Sequence, residues 1–316
     1  MNDSCRAIIP RTGALGFTGG HRPGIIWPVK TLKGTHAVVT GAARGIGLAT
    51  VRRLLREGVA VSLWDRDETE LDAAAHALRA EFPTARIATY RVDVTDAPAV
   101  AATVDQAENA LGVIDILVNN AGYLAPGNLT DQSVDQWDRT IAVNLNALVY
   151  TTAAVLPGMY RRGTGHVVNL SSAAATLGVA GLAVYAATKW AVWGLTESLR
   201  HEAINLGARG VRFSSIHPIF LRHGMFAGAK LRGLGALLVP NVKNHDVIAR
   251  AIVESALKRG CRTPMRPRTV RLAVLLRGIL PGALFDAVVR ALGVPQGMST
   301  WKGQSEGVGN TPDGLR

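Results

Sequence analysis

Tyr185 and Lys189 stand four residues apart in the run YAATK, and Ser172 lies thirteen residues before Tyr185. These side chains offer a phenol, a cation and a hydroxyl. On a helix, residues i and i+4 share a face, so the Lys189 ammonium can lie beside the Tyr185 oxygen. A free tyrosine titrates near ~10. A neighbouring positive charge favours the phenolate, so the pair is expected to make Tyr185 usable as a general acid or base. The same spacing arises in ordinary exposed ion-pair ladders, and its meaning depends on the elements that must position it.

The first such element is a glycine turn, TGAARGIG, with Gly41, Gly45 and Gly47. HAVVT (36–40) before it reads as a buried strand. IGLATVRRLLREG after it has helical spacing and a stop at Gly58. Strand, glycine turn and helix form the setting of a dinucleotide site, where backbone N–H groups at a helix N-terminus receive a pyrophosphate. A second strand, VAVSLW (59–64), ends at Asp65, 24 residues after Gly41. A carboxylate there reads the ribose 2′-hydroxyl and repels a 2′-phosphate, which favours NAD over NADP. Arg66 and Arg44 work against that preference. A third strand is expected to end at Asp93–Val94, and a fourth, IDILVNNAG (114–122), at Asn119, Asn120, Ala121 and Gly122.

Taken in order, TGAARGIG, Asp65, DVT, NNAG, NLN with Asn144, NLSS with Ser172 and YAATK resemble the short-chain dehydrogenase/reductase family over roughly residues 34–260. The resemblance implies an α/β, doubly wound (Rossmann-like) seven-stranded parallel sheet with helices on both faces, assembled as dimers or tetramers. It implies Tyr185 as acid/base, Lys189 as its cationic neighbour and ribose contact, Ser172 as hydrogen-bond partner of the substrate oxygen, with Ser171 the less favoured serine, and Asn144 as the holder of a water beside Lys189. Nucleotide contacts carried over in the same way are Gly41, Arg44, Gly45, Ile46, Gly47, Asp65, Asp93, Val94, Asn120, Ala121, Gly122, Tyr185, Lys189 and Pro218.

One stretch departs from the family pattern. After the sixth strand (VRFSSIHP, 211–218) the family has Pro-Gly and then Thr. This chain has Pro218-Ile219-Phe220-Leu221-Arg222-His223, with Ile219 for the glycine and His223 near the threonine. The reading is therefore an NAD(H)-dependent oxidoreductase of a lipophilic secondary alcohol or ketone, steroid-, retinoid-, fatty-acyl- or terpenoid-like. Phe220, Leu221, Met225, Phe226 and the run LGALLVP (234–240) motivate the lipophilic clause. A non-catalytic nucleotide-binding scaffold and a peripheral membrane adaptor stand as alternatives.

With 48% hydrophobic and 18% charged residues among 316, the chain has the means for a large core. Two cysteines, Cys5 and Cys261, exclude a disulfide framework, and no metal is expected. The net charge of +12 is concentrated in the flanks. Residues 1–33 carry five Lys and Arg against one Asp, and residues 261–316 carry eight against three acids. No recognition module for nucleic acid accompanies them. Residues 1–33 read as a poorly ordered basic lead-in without a signal-peptide core, 34–266 as the catalytic domain, and 267–316 as a C-terminal helical extension and tail. Within that extension VRLAVLLRGILPGALFDAVVRALGV (270–294) splits at Pro281-Gly282 into two amphipathic helices. These are expected either to cap the substrate cleft or a subunit contact, or to lie in a membrane interface with arginines toward headgroups. The expected location is cytoplasmic, with membrane association. Trp190 and Trp193 are expected at a homo-oligomer contact, or else against substrate; the resemblance places the subunit contact on this helix and the one before it, about 134–160.

Overall fold

The structure, a computed structural model, describes residues 31–221, 224–226, 229, 241–298 and 301. Residues 1–30, the LGALLVP run, His223 and the 302–316 tail, which figured in the sequence reading, lie outside the described residues. The described residues form a seven-stranded sheet in the order β3-β2-β1-β4-β5-β6-β7. All six pairings are parallel. The strands are β1 (His36–Thr40), β2 (Ala60–Asp65), β3 (Ile87–Arg91), β4 (Ile116–Asn119), β5 (Gly165–Leu170), β6 (Val211–Pro218) and β7 (Met265–Arg266). β1, β4 and β5 are buried along their whole length, as a parallel sheet covered on both faces requires.

One helical layer holds α1 (Gly45–Arg56), α2 (Glu68–Glu81) and α7 (His245–Arg250), which pack through Val51, Leu54, Leu71 and Ile248. The other holds α3 (Ala97–Leu111), α5 (Ala147–Arg162) and α6 (Ala183–Asn205), which pack through Val104, Val155, Met159 and Leu199. Chain order reverses between β1 and β4, so a crevice opens beyond their carboxyl ends, where doubly wound sheets hold ligands. Helix α4 (Val134–Ile141) runs into α5 through a π turn at Ala142–Asn146. After β7 come α8 (Val270–Ile279) and α9 (Gly282–Ala291), divided where Pro281 was expected to break the pattern.

Two expected boundaries differ. β3 stops at Arg91, two residues before Asp93, because Asp93 turns to accept Thr95 N–H and hydroxyl at 2.9 and 2.7 Å. The lead-in ends earlier than position 33. Leu32 is buried in the core, and Gly34 N–H donates to the Gly58 carbonyl at 3.0 Å, which ties this segment to the end of α1.

Candidate active site

The glycine turn is shaped by contacts that leave no room for side chains. A Cβ on Gly47 would come within 2.0 Å of the Gly41 carbonyl oxygen, and Gly41 has φ +63°, a region that favours glycine. Asn120 clamps the turn. Its amide nitrogen donates to the Thr40 and Gly41 carbonyls at 2.9 and 3.0 Å, while Thr40 Oγ1 accepts the N–H groups of Asn120 and Ala121, both at 3.0 Å. The Asn120 amide thus holds the turn from within. Arg44 is the N-cap of α1 but makes no capping bond, and the first turn of α1 has no acid. Its N–H groups and positive dipole end therefore remain for an anion.

Asp65 ends β2 with its carboxylate oriented by two N–H donors, Ala43 at 3.0 Å and Asp67 at 3.2 Å. Lone pairs remain to accept ribose hydroxyls. Beside it lies a polar recess of about 550 Å³ lined by Arg66, Asp67, Arg91, Asp93 and Arg139. Partial burial raises the Asp93 carboxyl, but the Thr95 hydrogen bonds and the charges of Arg66 and Arg139 outweigh it and hold the group below its ordinary value. Val94 turns into the core beside Val92, so only its main chain can serve a nucleotide. This cradle fits a dinucleotide: close backbone approach, an open helix N-terminus and a fixed carboxylate.

Tyr185 and Lys189 share the buried face of α6 with Thr188 and Val192. Lys189 Nζ lies 5.6 Å from the centre of the Tyr185 ring and donates to the Leu170 carbonyl at 2.8 Å. Ser171 Oγ donates to the Lys189 main-chain carbonyl at 2.8 Å, joining the end of β5 to α6. Ser172 lies close enough to the Tyr185 phenol to pull its titration down, and its Oγ accepts the Ala174 N–H at 3.1 Å. Of the two serines, Ser172 faces the phenol and Ser171 is structural. Asn144 stands in the π turn, a widening that often marks functional positions. Its Oδ1 accepts the Tyr123 N–H at 2.8 Å, and its Nδ2 donates to the Tyr123 carbonyl at 2.9 Å and to Thr188 Oγ1 at 3.3 Å.

The expected acidification of Tyr185 does not hold in the chain alone. Burial pushes the phenol well above its ordinary value, against which the nearby Ser172 side chain pulls down. Burial also pulls Lys189 down to about 8. Both charged forms lose hydration, and the ammonium is aimed at the Leu170 carbonyl. The arrangement therefore stores the proton on Tyr185 and leaves Lys189 able to exchange one near neutrality.

His217 was not foreseen. It stands next to last in β6, fully buried, with Nδ1 3.2 Å from the Ser172 carbonyl and Nε2 2.9 Å from Ser215 Oγ. A carbonyl only accepts, so Nδ1 carries the proton and Nε2 accepts from Ser215. Burial, outweighing the Ser172 bond, lowers His217 to about 4. The ring thus holds the Ser172 main chain as a neutral donor. The available signal was an ionisable side chain near the carboxyl end of the expected strand VRFSSIHP, where ligands of such sheets lie.

Beyond Ser172 lies an apolar cavity of about 140 Å³. Phe220, Phe226 and Ile219 wall one side and α8–α9 the other. Phe226 meets the Tyr185 ring edge-on at 5.6 Å. Ile219, in place of the family glycine, lines this cavity, whereas Leu221 turns away into the layer of α1 and α7. The tryptophans are engaged within their own chain. Trp193 packs edge-on against His217 at 4.7 Å, and Arg277 of α8 stacks 4.8 Å over Trp190. Neither is among the residues that line the cavity. Arg277 donates to the Thr176 carbonyl at 3.3 Å, as a helix capping the cleft would.

A doubly wound sheet with a nucleotide cradle beside a buried Tyr–Lys–Ser set defines a dinucleotide-dependent oxidoreductase. The chain belongs to the short chain dehydrogenase family, whose model matches residues 35–231. It is 38% identical to trans-4-hydroxycyclohexanecarboxylate dehydrogenase of Sinomonas cyclohexanicum over 64% of this chain and 77% of that one. It is 31% identical to epidermal retinol dehydrogenase 2 of Mus musculus over 80% and 81%. A short chain dehydrogenase/reductase from Burkholderia phymatum in complex with NAD superposes with TM-score 0.69 and 27% identity, over 79% of this chain and 94% of that one. The protein is a dehydrogenase of alcohols, acting on CH–OH groups with NAD(H) or NADP(H).

Proposed function

We propose that the protein interconverts a lipophilic secondary alcohol and its ketone with NAD(H), using Tyr185 as the proton donor and acceptor. The observation that carries this reading is that Ser172 and Phe226 line an apolar cavity, with Phe226 packed edge-on against the Tyr185 ring at 5.6 Å and Lys189 on the same face of α6. A bound nicotinamide supplies the hydride chemistry. Ketone reduction uses the phenol as the chain alone holds it, protonated, giving its proton to the developing alkoxide. Ser172 donates a second hydrogen bond to that oxygen, stabilising charge in a site shielded from water. In alcohol oxidation Tyr185 takes the hydroxyl proton, and Lys189, titrating near 8, offsets the phenolate charge. Asn144 fixes the Tyr123 segment behind Lys189.

The Asp65 carboxylate supports NAD, since it would face a 2′-phosphate directly; Arg66, Arg91 and Arg139 around the next recess are the opposing charges. The apolar lining and the retinol dehydrogenase relative support a lipophilic substrate. A second copy of the chain is the fitting cover for the exposed Ile141 and Val149 on the α4–α5 rod. A cytoplasmic protein touching a membrane through 267–294 completes the proposal.

Tyr185→Phe removes the transferable proton and leaves the cradle intact. Turnover of alcohols, followed as NADH absorbance, is expected to fall by about 10²–10⁴ with NADH affinity unchanged; near wild-type turnover would sink the assignment. Asp65→Asn is expected to shift the NADPH-to-NADH preference by about tenfold toward NADPH. An unchanged ratio would remove Asp65 as the discriminating group.

A further inference from the structure

The α8–α9 hairpin has two apolar faces. Val270, Ala273, Leu276, Phe285 and Val289 line the cavity. On the outside Leu275 and Ile279, four residues apart, form one stripe and are 58% and 68% exposed, and Leu284 of α9 adds 51%; Leu272, 53% exposed, borders both this stripe and the cavity. A helix is about 10 Å across with its side chains, so one helix thickness separates the exposed stripe from the cavity. The surrounding charge has one sign: residues 259–298 hold seven arginines and a single acid, Asp286. Exposed Arg271 precedes Leu275 by four residues and borders its face, and exposed Arg268 lies just ahead of the helix.

The hairpin is lightly held. α8 buries only Val270 and α9 only Phe285. Among the described residues Arg277 ties the hairpin to the domain, stacked over Trp190 and bonded to the Thr176 carbonyl. The cavity behind it, at about 140 Å³, is smaller than the ~300–1,000 Å³ of sites for drug-sized ligands. A lipophilic alcohol of that size enters only if a wall moves, and α8–α9 is a wall whose helices bury one side chain each.

We propose that the outer face of α8–α9 docks on an anionic lipid bilayer, and that the hairpin then swings away from Trp190 to admit substrate directly from the bilayer. The doorway rests on the lipophilic-substrate reading above. A second copy of the chain would also cover the leucines, but it would bring arginine-rich faces together, whereas anionic headgroups neutralise them.

The test is sedimentation of the full chain with phosphatidylcholine vesicles, with and without phosphatidylserine. Pelleting is expected only with phosphatidylserine and is expected to weaken as salt rises. The double variant Leu275→Glu, Ile279→Glu, outside cavity and catalytic set, should lose about tenfold or more in vesicle affinity. It should keep NADH binding and turnover of a short water-soluble alcohol, while kcat/KM for a long-chain alcohol delivered in vesicles falls in parallel. A wild type that stays in the supernatant, or a variant that pellets equally, overturns docking. So does a wild-type dimer that the variant converts to monomer without any vesicle binding. Docking with undiminished use of vesicle-borne alcohol in the variant overturns the doorway. Vesicle binding without turnover of any alcohol overturns the substrate reading, and the doorway with it, but leaves docking standing.

Discussion

Around the nucleotide cradle most polar side chains are fixed by main-chain partners close in space: Asn120 on Thr40 and Gly41, Asp65 on Ala43 and Asp67. Over the substrate cavity the enclosure is mostly apolar packing, and among the described residues Arg277 ties it to the domain. The first region binds a ligand of constant shape and benefits from preorganisation. The second has to part for a guest, and elements that move are drawn from the weakly held end of a structure. One domain thus carries a rigid half and a yielding half, joined by α6, whose Tyr185 and Lys189 serve the first and whose Trp190 holds the second.

That contrast can be broken most severely at Gly47. In Gly47→Ala the new methyl would collide with the Gly41 carbonyl, and overpacking of this kind costs about 3 kcal/mol. Denaturant unfolding is expected to show that loss together with abolished NADH binding; a stable variant that binds normally would mean that the cradle yields. The next effect is acid sensitivity through His217, whose folded value is lowered from 6.5 to about 4. The unfolded chain takes up the proton first, so its contribution is complete above pH 6.5 and is lost as pH falls through 4. The slope in that window is at most ~1.4 kcal/mol per pH unit. His217→Asn should flatten it in melts at pH 7, 5.5 and 4.5, and an unchanged slope would place the titration elsewhere. The smallest effect lies in the yielding half. Arg277→Met gives up a cation–π contact at an exposed site, about 0.5–1 kcal/mol. Melting is expected to shift by a few degrees at most, while kcat/KM for bulky alcohols rises. A large drop in melting temperature would show the hairpin to be as integral as the cradle.

Sequence spacing exposed what is local. HAVVT became β1 at the residues expected, Gly58 ended the first helix, and Tyr185 and Lys189 shared a face because a helix repeats every 3.6 residues. Hidden from it were effects of distant packing. Burial reversed the expected direction for Tyr185, since a charge pair read along a helix says nothing about lost hydration. Arg277 bonds to a residue 101 positions away, and Leu221 packs with α1 and α7 while its neighbour Phe220 packs in the cluster around Tyr185. Leu32 joined the core although its segment reads as a basic lead-in.

The π turn at Ala142–Asn146 acts as a phase shift in the rod from Val134 to Arg162. One surplus residue rotates everything downstream by roughly 100° relative to regular winding. Excising one residue there would restore an unbroken spiral but turn Thr151, whose hydroxyl holds Asn119 at the end of β4, off its bearing. The irregularity is therefore the indexing step that lets a single rod aim Asn144 at the catalytic helix and still seat its second half on the sheet.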